Sequence, residues 1–125
     1  MDKQIKYIFE FPLSHNPVPY QNEIRRSKYG GMYKTAKLKY YQEQLGFFAQ
    51  SEMNVNKWKL IEDKYKIKTT FYCKDKRHGD LTNMFKSFED ALENVVYTND
   101  KNCIKQCNKL AYNKNYPCIE CEIST

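Results

Sequence analysis

Between Tyr65 and Cys73 every second residue, Tyr65, Ile67, Thr69, Phe71 and Cys73, suits a buried face, while Lys64, Lys66 and Lys68 occupy the alternate positions. A period of two belongs to a β-strand with one side on a core and the other in water. The segment must therefore lie in a sheet covered on one side, and its solvent face is strongly basic. The same period runs through Ile5, Tyr7, Phe9, Phe11 and Leu13, which places a first strand over roughly Lys3 to Leu13.

Two further stretches change to the period of a helix. Leu38, Tyr41, Leu45 and Phe48 recur at three- and four-residue steps behind Thr35, a capping residue, and predict a helix to about Gln50. Leu81, Met84, Phe85, Phe88, Leu92 and Val95 form an apolar stripe behind Asp80, also at a cap position, and predict a second helix from Leu81 to about Asn94. Short strands are expected at Val96-Tyr97, Asn102 to Tyr112 and Cys118 to Ile123, around turns at Asn99-Asp100 and Asn113 to Pro117. Ahead of the first helix, two prolines in Ser14-His15-Asn16-Pro17-Val18-Pro19 remove donors, and Arg25, Arg26, Lys28 and Gly30-Gly31 follow, which predicts a basic, mobile loop. With 125 residues and no repeat or linker, the chain is expected to form one α+β domain over 1–125. Its mixed sheet has about four or five strands and carries two helices.

Twenty-one basic residues against fifteen acidic ones leave a net charge of +6, a balance that favours polyanionic partners. No run of about twenty apolar residues exists, and Met1 to Phe11 alternates charged with apolar side chains where a signal peptide would have an apolar core. A cytoplasmic protein without a membrane partner is expected. Five cysteines, an odd number, suit reduced thiols. Cys103, Cys107, Cys118 and Cys121 have a superficial zinc-ligand spacing. In a strand, however, positions 118 and 121 point to opposite faces, so no zinc is expected.

The chemistry concentrates after the second predicted strand. On a helix Asn83, Lys86 and Asp90 share one polar side, with Asp80 one turn earlier. If the chain after this helix returns beside the helix start, Asp100 approaches Asp80, and two such carboxylates repel unless a cation lies between them. Mg²⁺ suits that arrangement, because hard oxygen ligands with open positions for water and phosphate are what phosphodiester hydrolysis requires. Lys86 could stabilise charge on the phosphoryl oxygens or orient the attacking water. Each residue also has an ordinary reading: Asp80 a helix cap, Lys86 and Asp90 a surface ion pair, Asp100 a turn residue.

Asp80-Leu81-Thr82-Asn83, Lys86, Glu89-Asp90-Ala91-Leu92, Val96-Tyr97 and Asp100 resemble the core motif of the RusA-type Holliday junction resolvases. Phe11-Pro12, Pro17-Val18-Pro19, Arg25, Arg26 and Gly31-Met32-Tyr33-Lys34-Thr35 resemble that family's proline-containing strand exit and basic loop, so the likeness spans roughly Ile5 to Ile123. The resemblance implies a Mg²⁺-dependent endodeoxyribonuclease, with Mn²⁺ able to substitute, that acts as a homodimer on four-way junctions and other branched DNA in recombination and repair. It makes Asp80 and Asp100 metal ligands and Lys86 the catalytic lysine, supported by Asn83 and Asn99. Thr82 stands where the family has a second aspartate, and Asn99 where it has the first of a distal pair. Each keeps an oxygen and loses a charge, so Thr82 is a neutral metal ligand and binding is expected to be weaker. Glu89, Asp90 or Glu93 could compensate. The alternative is a branched-DNA-binding protein of this fold with weakened or lost catalysis.

Arg25, Arg26, Lys28, Lys34, Lys76, Arg77 and His78 are the candidate contacts to the DNA backbone, with Lys37, Lys39 and Lys74 nearby. His78 could touch phosphate or assist proton transfer, or could be a solvated loop residue. Tyr29, Tyr33 and Tyr40 could stack on unpaired bases at a branch point.

Overall fold

The computed structural model describes residues 4–125. Four strands build the main sheet: β1 (Lys6–Pro12), β4 (Tyr65–Cys73), β5 (Cys103–Tyr112) and β6 (Cys118–Ser124), in the order β1-β6-β4-β5. β6 runs antiparallel to both β1 and β4, whereas β5 runs parallel to β4 and forms one edge. Two helices, α1 (Ala36–Val55) and α2 (Leu81–Leu92), complete an α+β arrangement. The expected start of the first strand at Lys3 lies outside the described residues.

One face of the sheet makes the core. Tyr7, Phe9 and Phe11 of β1, Tyr65, Ile67 and Phe71 of β4, and Ile119, Cys121 and Ile123 of β6 are buried against both helices. Phe11 meets Phe48 of α1 at 5.1 Å and Phe88 of α2 at 5.2 Å between ring centroids, so a single aromatic cluster joins both helices to the sheet. The other face is open, with Lys6, Ile8, Glu10, Lys66, Lys68 and Glu120 exposed.

Both helices start where capping chemistry requires. The Thr35 hydroxyl accepts from the Leu38 amide at 3.2 Å and the Asp80 carboxylate from the Asn83 amide at 2.8 Å. α1 outruns the expected end at Gln50, because Ala49 and Met53 continue the buried stripe. It stops when Lys57 takes φ 55° and the Trp58 amide reaches back to the Met53 carbonyl. α2 ends two residues before Asn94, whose φ of 67° turns the chain away.

Two expectations need correction. The stretch read as a mobile loop contains a hairpin of β2 (Ile24–Arg26) and β3 (Met32–Lys34), closed by Ser27, whose hydroxyl accepts from the Gly31 amide, and by Gly30 at φ 97°. Three-residue strands are too short to show a period. Val96-Tyr97 is no strand either: Tyr97 makes isolated bridges to Ile61 and Glu93, and its ring stacks on Tyr65 at 4.5 Å.

The segment entering that hairpin is sewn to α2. The Val18 carbonyl accepts from the buried Ser87 hydroxyl at 2.5 Å, and the Tyr20 amide donates to the Asn83 carbonyl at 3.1 Å. Pro19 packs so closely on Gly79 that an added Cβ would lie 2.5 Å from the proline Cβ. Gly79→Ala is therefore expected to destabilise the fold by about 1–3 kcal/mol, whereas Gly31→Ala, with only Ser27 Oγ near at 3.7 Å, should be close to neutral. Urea denaturation of both variants checks this, and equal midpoints would contradict it.

Candidate active site

Asp80 is exposed, yet its carboxylate is held in place. One oxygen caps α2, and the other accepts from the Asn83 side-chain amide at 3.0 Å. That amide also donates to Gln21 Oε1 at 3.0 Å, which fixes its rotamer from outside the helix. Lys86 lies two turns from Asp80, its Nζ 4.5 Å from the centroid of the Tyr20 ring, a cation–π contact that holds a flexible ammonium in one direction. Asp80, Asn83 and Lys86 thus form a line about 9 Å long on one side of the helix. Thr82 is exposed, but a step of two residues turns it about 200° around the helix from Asp80, off this line.

A cleft of about 610 Å³ ends at Gly79, beside Asp80, and is lined by His15, Asn16, Lys37, Lys74, Arg77 and His78 among others. Asn16 clasps its two walls: its amide donates to Asp75 and to the Arg77 carbonyl, each at 2.9 Å, and its oxygen accepts from the Lys74 amide at 2.6 Å. Arg77 pairs with Asp75 at 3.0 Å, and these bonds hold the Asp75 carboxyl well below the usual carboxylate range. His78 Nδ1 lies 2.7 Å from the Gly79 carbonyl, which only accepts, so Nδ1 carries the proton. In the neutral ring Nε2 then accepts from the Tyr112 hydroxyl at 2.7 Å.

Asp100 lies elsewhere. Its backbone amide points to Glu93 Oε2 at 3.4 Å and its carboxylate adjoins Glu89, both near the C-terminal end of α2. Nine residues separate Asp80 from Glu89, about 13 Å of helix rise. Within one chain, therefore, the two aspartates do not meet. Asn99 uses its side-chain oxygen to accept from the Lys101 amide at 2.9 Å. Burial first, then the charges of Asp100, Glu93 and Asp90, push Glu89 up to about 7.

Magnesium binds oxygens at about 2.1 Å, so its ligands must converge within a few ångströms. Among the described residues no three His, Cys, Asp or Glu side chains do so. Asp80 with its neutral neighbours does not by itself fit a divalent ion.

The remaining candidates divide by what already holds them. Arg25, Arg26 and Lys28 are exposed on the hairpin, Arg77 on the wall of the cleft and Lys76 in the loop beside it. Lys34 is committed within the chain: it bonds Asp90 at 2.6 Å and Gln42 at 2.8 Å, so Asp90 pairs with Lys34 and not with Lys86. Cys118 stands opposite Pro12 and Tyr72 on the open face, whereas Cys121 stands opposite Phe9 and Thr69 on the core face. Sequence reasoning missed Tyr20, Gln21 and Asn16. They lie about sixty residues from their partners and match no local pattern; a polar residue next to Pro17 and Pro19 was the one available hint.

Among the described residues no helix is long and apolar enough to cross a membrane. No curated protein matches the chain. The family model for endodeoxyribonuclease RusA matches residues 14–124, nearly the whole length, and the capped helix start, the lysine two turns on and the basic strand exit all lie within that span. The chain belongs to the RusA endodeoxyribonuclease family.

Proposed function

We propose that this protein is a metal-dependent endonuclease for branched DNA, four-way junctions above all, and that its active site is shared between the two chains of a homodimer. The observation that carries this reading is the separation of Asp80 from Asp100 in a chain that otherwise matches a nuclease family over 14–124.

Strand β5 supports the dimer. It is an edge strand whose residues from Ile104 to Cys107 are all exposed, so the middle of the strand is uncovered on either side. Parallel strand pairs are normally covered on both faces, and a long free edge is a template for pairing. Antiparallel pairing of two β5 edges across a two-fold axis would lay the start of one strand beside the end of the other. Asp100 lies three residues before the start. The end carries Tyr112, whose hydroxyl bonds His78, two residues before Asp80. The partner's Asp100 would then come to the end of the molecule that carries Asp80.

Asp80 and the partner's Asp100 would hold the divalent ion, Mg²⁺ or Mn²⁺, without Thr82, which faces away from Asp80 on the helix. The ion supplies charge neutralisation at the phosphodiester. The chain's own groups do the rest. Asn83 keeps the Asp80 carboxylate in its rotamer, and Lys86, aimed by Tyr20, presents an ammonium to the non-bridging oxygens, where negative charge grows as the phosphodiester is attacked. Arg25, Arg26, Lys28, Lys76, Arg77 and His78 contact the backbone without reading sequence.

Asp80→Asn and Asp100→Asn should each lower junction nicking by about two orders of magnitude or more while junction binding persists. Mixing the two variants after unfolding and refolding should restore it. Random pairing gives heterodimers with one intact composite site, about a quarter of the wild-type number. A mixture as inactive as its parents would show that the two aspartates do not work across chains. Wild-type protein that binds junctions and never nicks them, with either metal, would instead leave the binding-only reading. Tyr20→Leu is expected to lower kcat about two- to fivefold and Tyr20→Phe to leave it near wild type; equal losses would place the role of Tyr20 in its hydroxyl.

A further inference from the structure

The open face of the sheet is divided by charge along its length. On the β4–β5 half, Lys66, Lys68, Lys105 and Lys109 are all exposed, and Lys66 stands directly opposite Lys105 in the parallel register. On the β1–β6 half, Glu10 stands directly opposite Glu120, next to Glu122. Like charges facing each other across a ladder destabilise a sheet, by up to about 1 kcal/mol a pair. Alternating the two signs would have removed the cost, and the register shows how little of that occurs. Glu122 takes Lys6 at 3.1 Å and Lys68 at 3.9 Å, while Lys66, Lys105 and Lys109 have no ion pair among the described residues. Three of the four lysines of the basic half are thus unpaired among the described residues, which leaves a concentrated positive field there.

That field also leads somewhere. β4 passes at its C-terminal end into Lys74 and Arg77, which border the cleft beside Asp80, with Lys76 exposed between them. From Lys66 to Lys74 is eight residues, about 26 Å of extended chain. At 3.4 Å per base pair this is the length of about eight base pairs. Along the β4–β5 half the exposed side chains from Lys66 to Lys109 are mostly lysines, with Tyr72 at its far end tied to Glu120 through its hydroxyl, and a surface of ammonium groups suits the phosphate backbone of a duplex.

We infer that the open face of β4 and β5, through Lys66, Lys68, Lys105 and Lys109, is a second DNA-binding surface that grips the backbone of one duplex arm of a branched substrate, about eight base pairs outward from the site at Asp80. The inference rests on the nuclease reading for the identity of the polyanion. It concerns residues that reading does not use. The acidic half beside it limits the arm to the β4–β5 side. Cys107, exposed between Lys105 and Lys109 and opposite Lys68, reports on occupancy of the patch.

The test compares wild-type protein with the quadruple variant Lys66→Gln, Lys68→Gln, Lys105→Gln and Lys109→Gln on synthetic four-way junctions. Arms of about four base pairs are compared with arms of twelve or more, over a range of salt concentrations. For the long-armed junction the slope of log affinity against log salt should become shallower by about three to four, and for the short-armed junction the two proteins should bind alike. Alkylation of Cys107 in wild type should slow at least severalfold with the long-armed junction and remain unchanged with the short one. Equal slopes and unprotected Cys107, with wild type still binding and nicking junctions, would overturn the second surface and leave the nuclease reading standing. Wild type that binds no DNA would overturn both. Self-association of wild type beyond the dimer at low salt, lost in the variant while the DNA slope stays the same, would assign the face to further copies of the chain and also overturn the proposal.

Discussion

The parallel pairing of β4 with β5 is the constraint from which the rest of this molecule follows. Two parallel neighbours cannot be joined by a turn; the chain must travel back along the sheet, and α2 is that return path. A helix used in this way starts at one end of the sheet and finishes at the other. Whatever chemistry sits at its two termini is held apart by its length. Asp80 caps the start of α2, and Asp100 follows its end, so one chain presents one aspartate at each end of the sheet. The same connection leaves β5 as an edge strand with most of its side chains exposed.

The start of α2 is built with more care than an exposed terminus needs. Ser87 and Asn83 bond the main chain of the segment from Val18 to Tyr20, Asn16 clasps the loop after β4, and Pro19 lies where any residue larger than Gly79 would collide with it. These contacts are polar or steric and contribute modestly to stability one at a time. Together they convert a flexible, proline-rich connection into one wall of a cleft. They also set Tyr20 under Lys86 and Gln21 against Asn83, so a helix cap becomes a preorganised group of carboxylate, amide and ammonium.

Electrostatics divides the remaining surface. A net charge of +6 spread evenly would attract any polyanion weakly. Here the lysines gather on one half of the open face and along the exit of β4, while glutamates gather on the other half. A sheet gains nothing internally from this arrangement, since opposite charges facing each other would be the more stable choice. The arrangement makes sense as a property of the outer surface, where the sum of the charges and not their pairing decides what is attracted.

Much of this architecture follows from local sequence. The alternation from Tyr65 to Cys73 and from Tyr7 to Phe11, the stripes of both helices, the caps Thr35 and Asp80, and the basic face of β4 all depend on steps of two, three or four residues, which the backbone period converts directly into faces. The resemblance to the nuclease family was legible for a similar reason, because Asp80, Asn83 and Lys86 lie within two turns of one helix. The hairpin at Ile24–Arg26 and Met32–Lys34 was not, since three residues do not define a period. Nor was the course of the chain after α2. Whether Asp100 returns to Asp80 depends on whether β5 lies parallel or antiparallel to β4, and burial patterns are the same in either case. Sequence alone determined which residues face inward and which chemistry stands at the start of α2. Tertiary structure decided which ends of the molecule the two aspartates occupy, because strand direction is settled by packing between segments that the sequence keeps far apart.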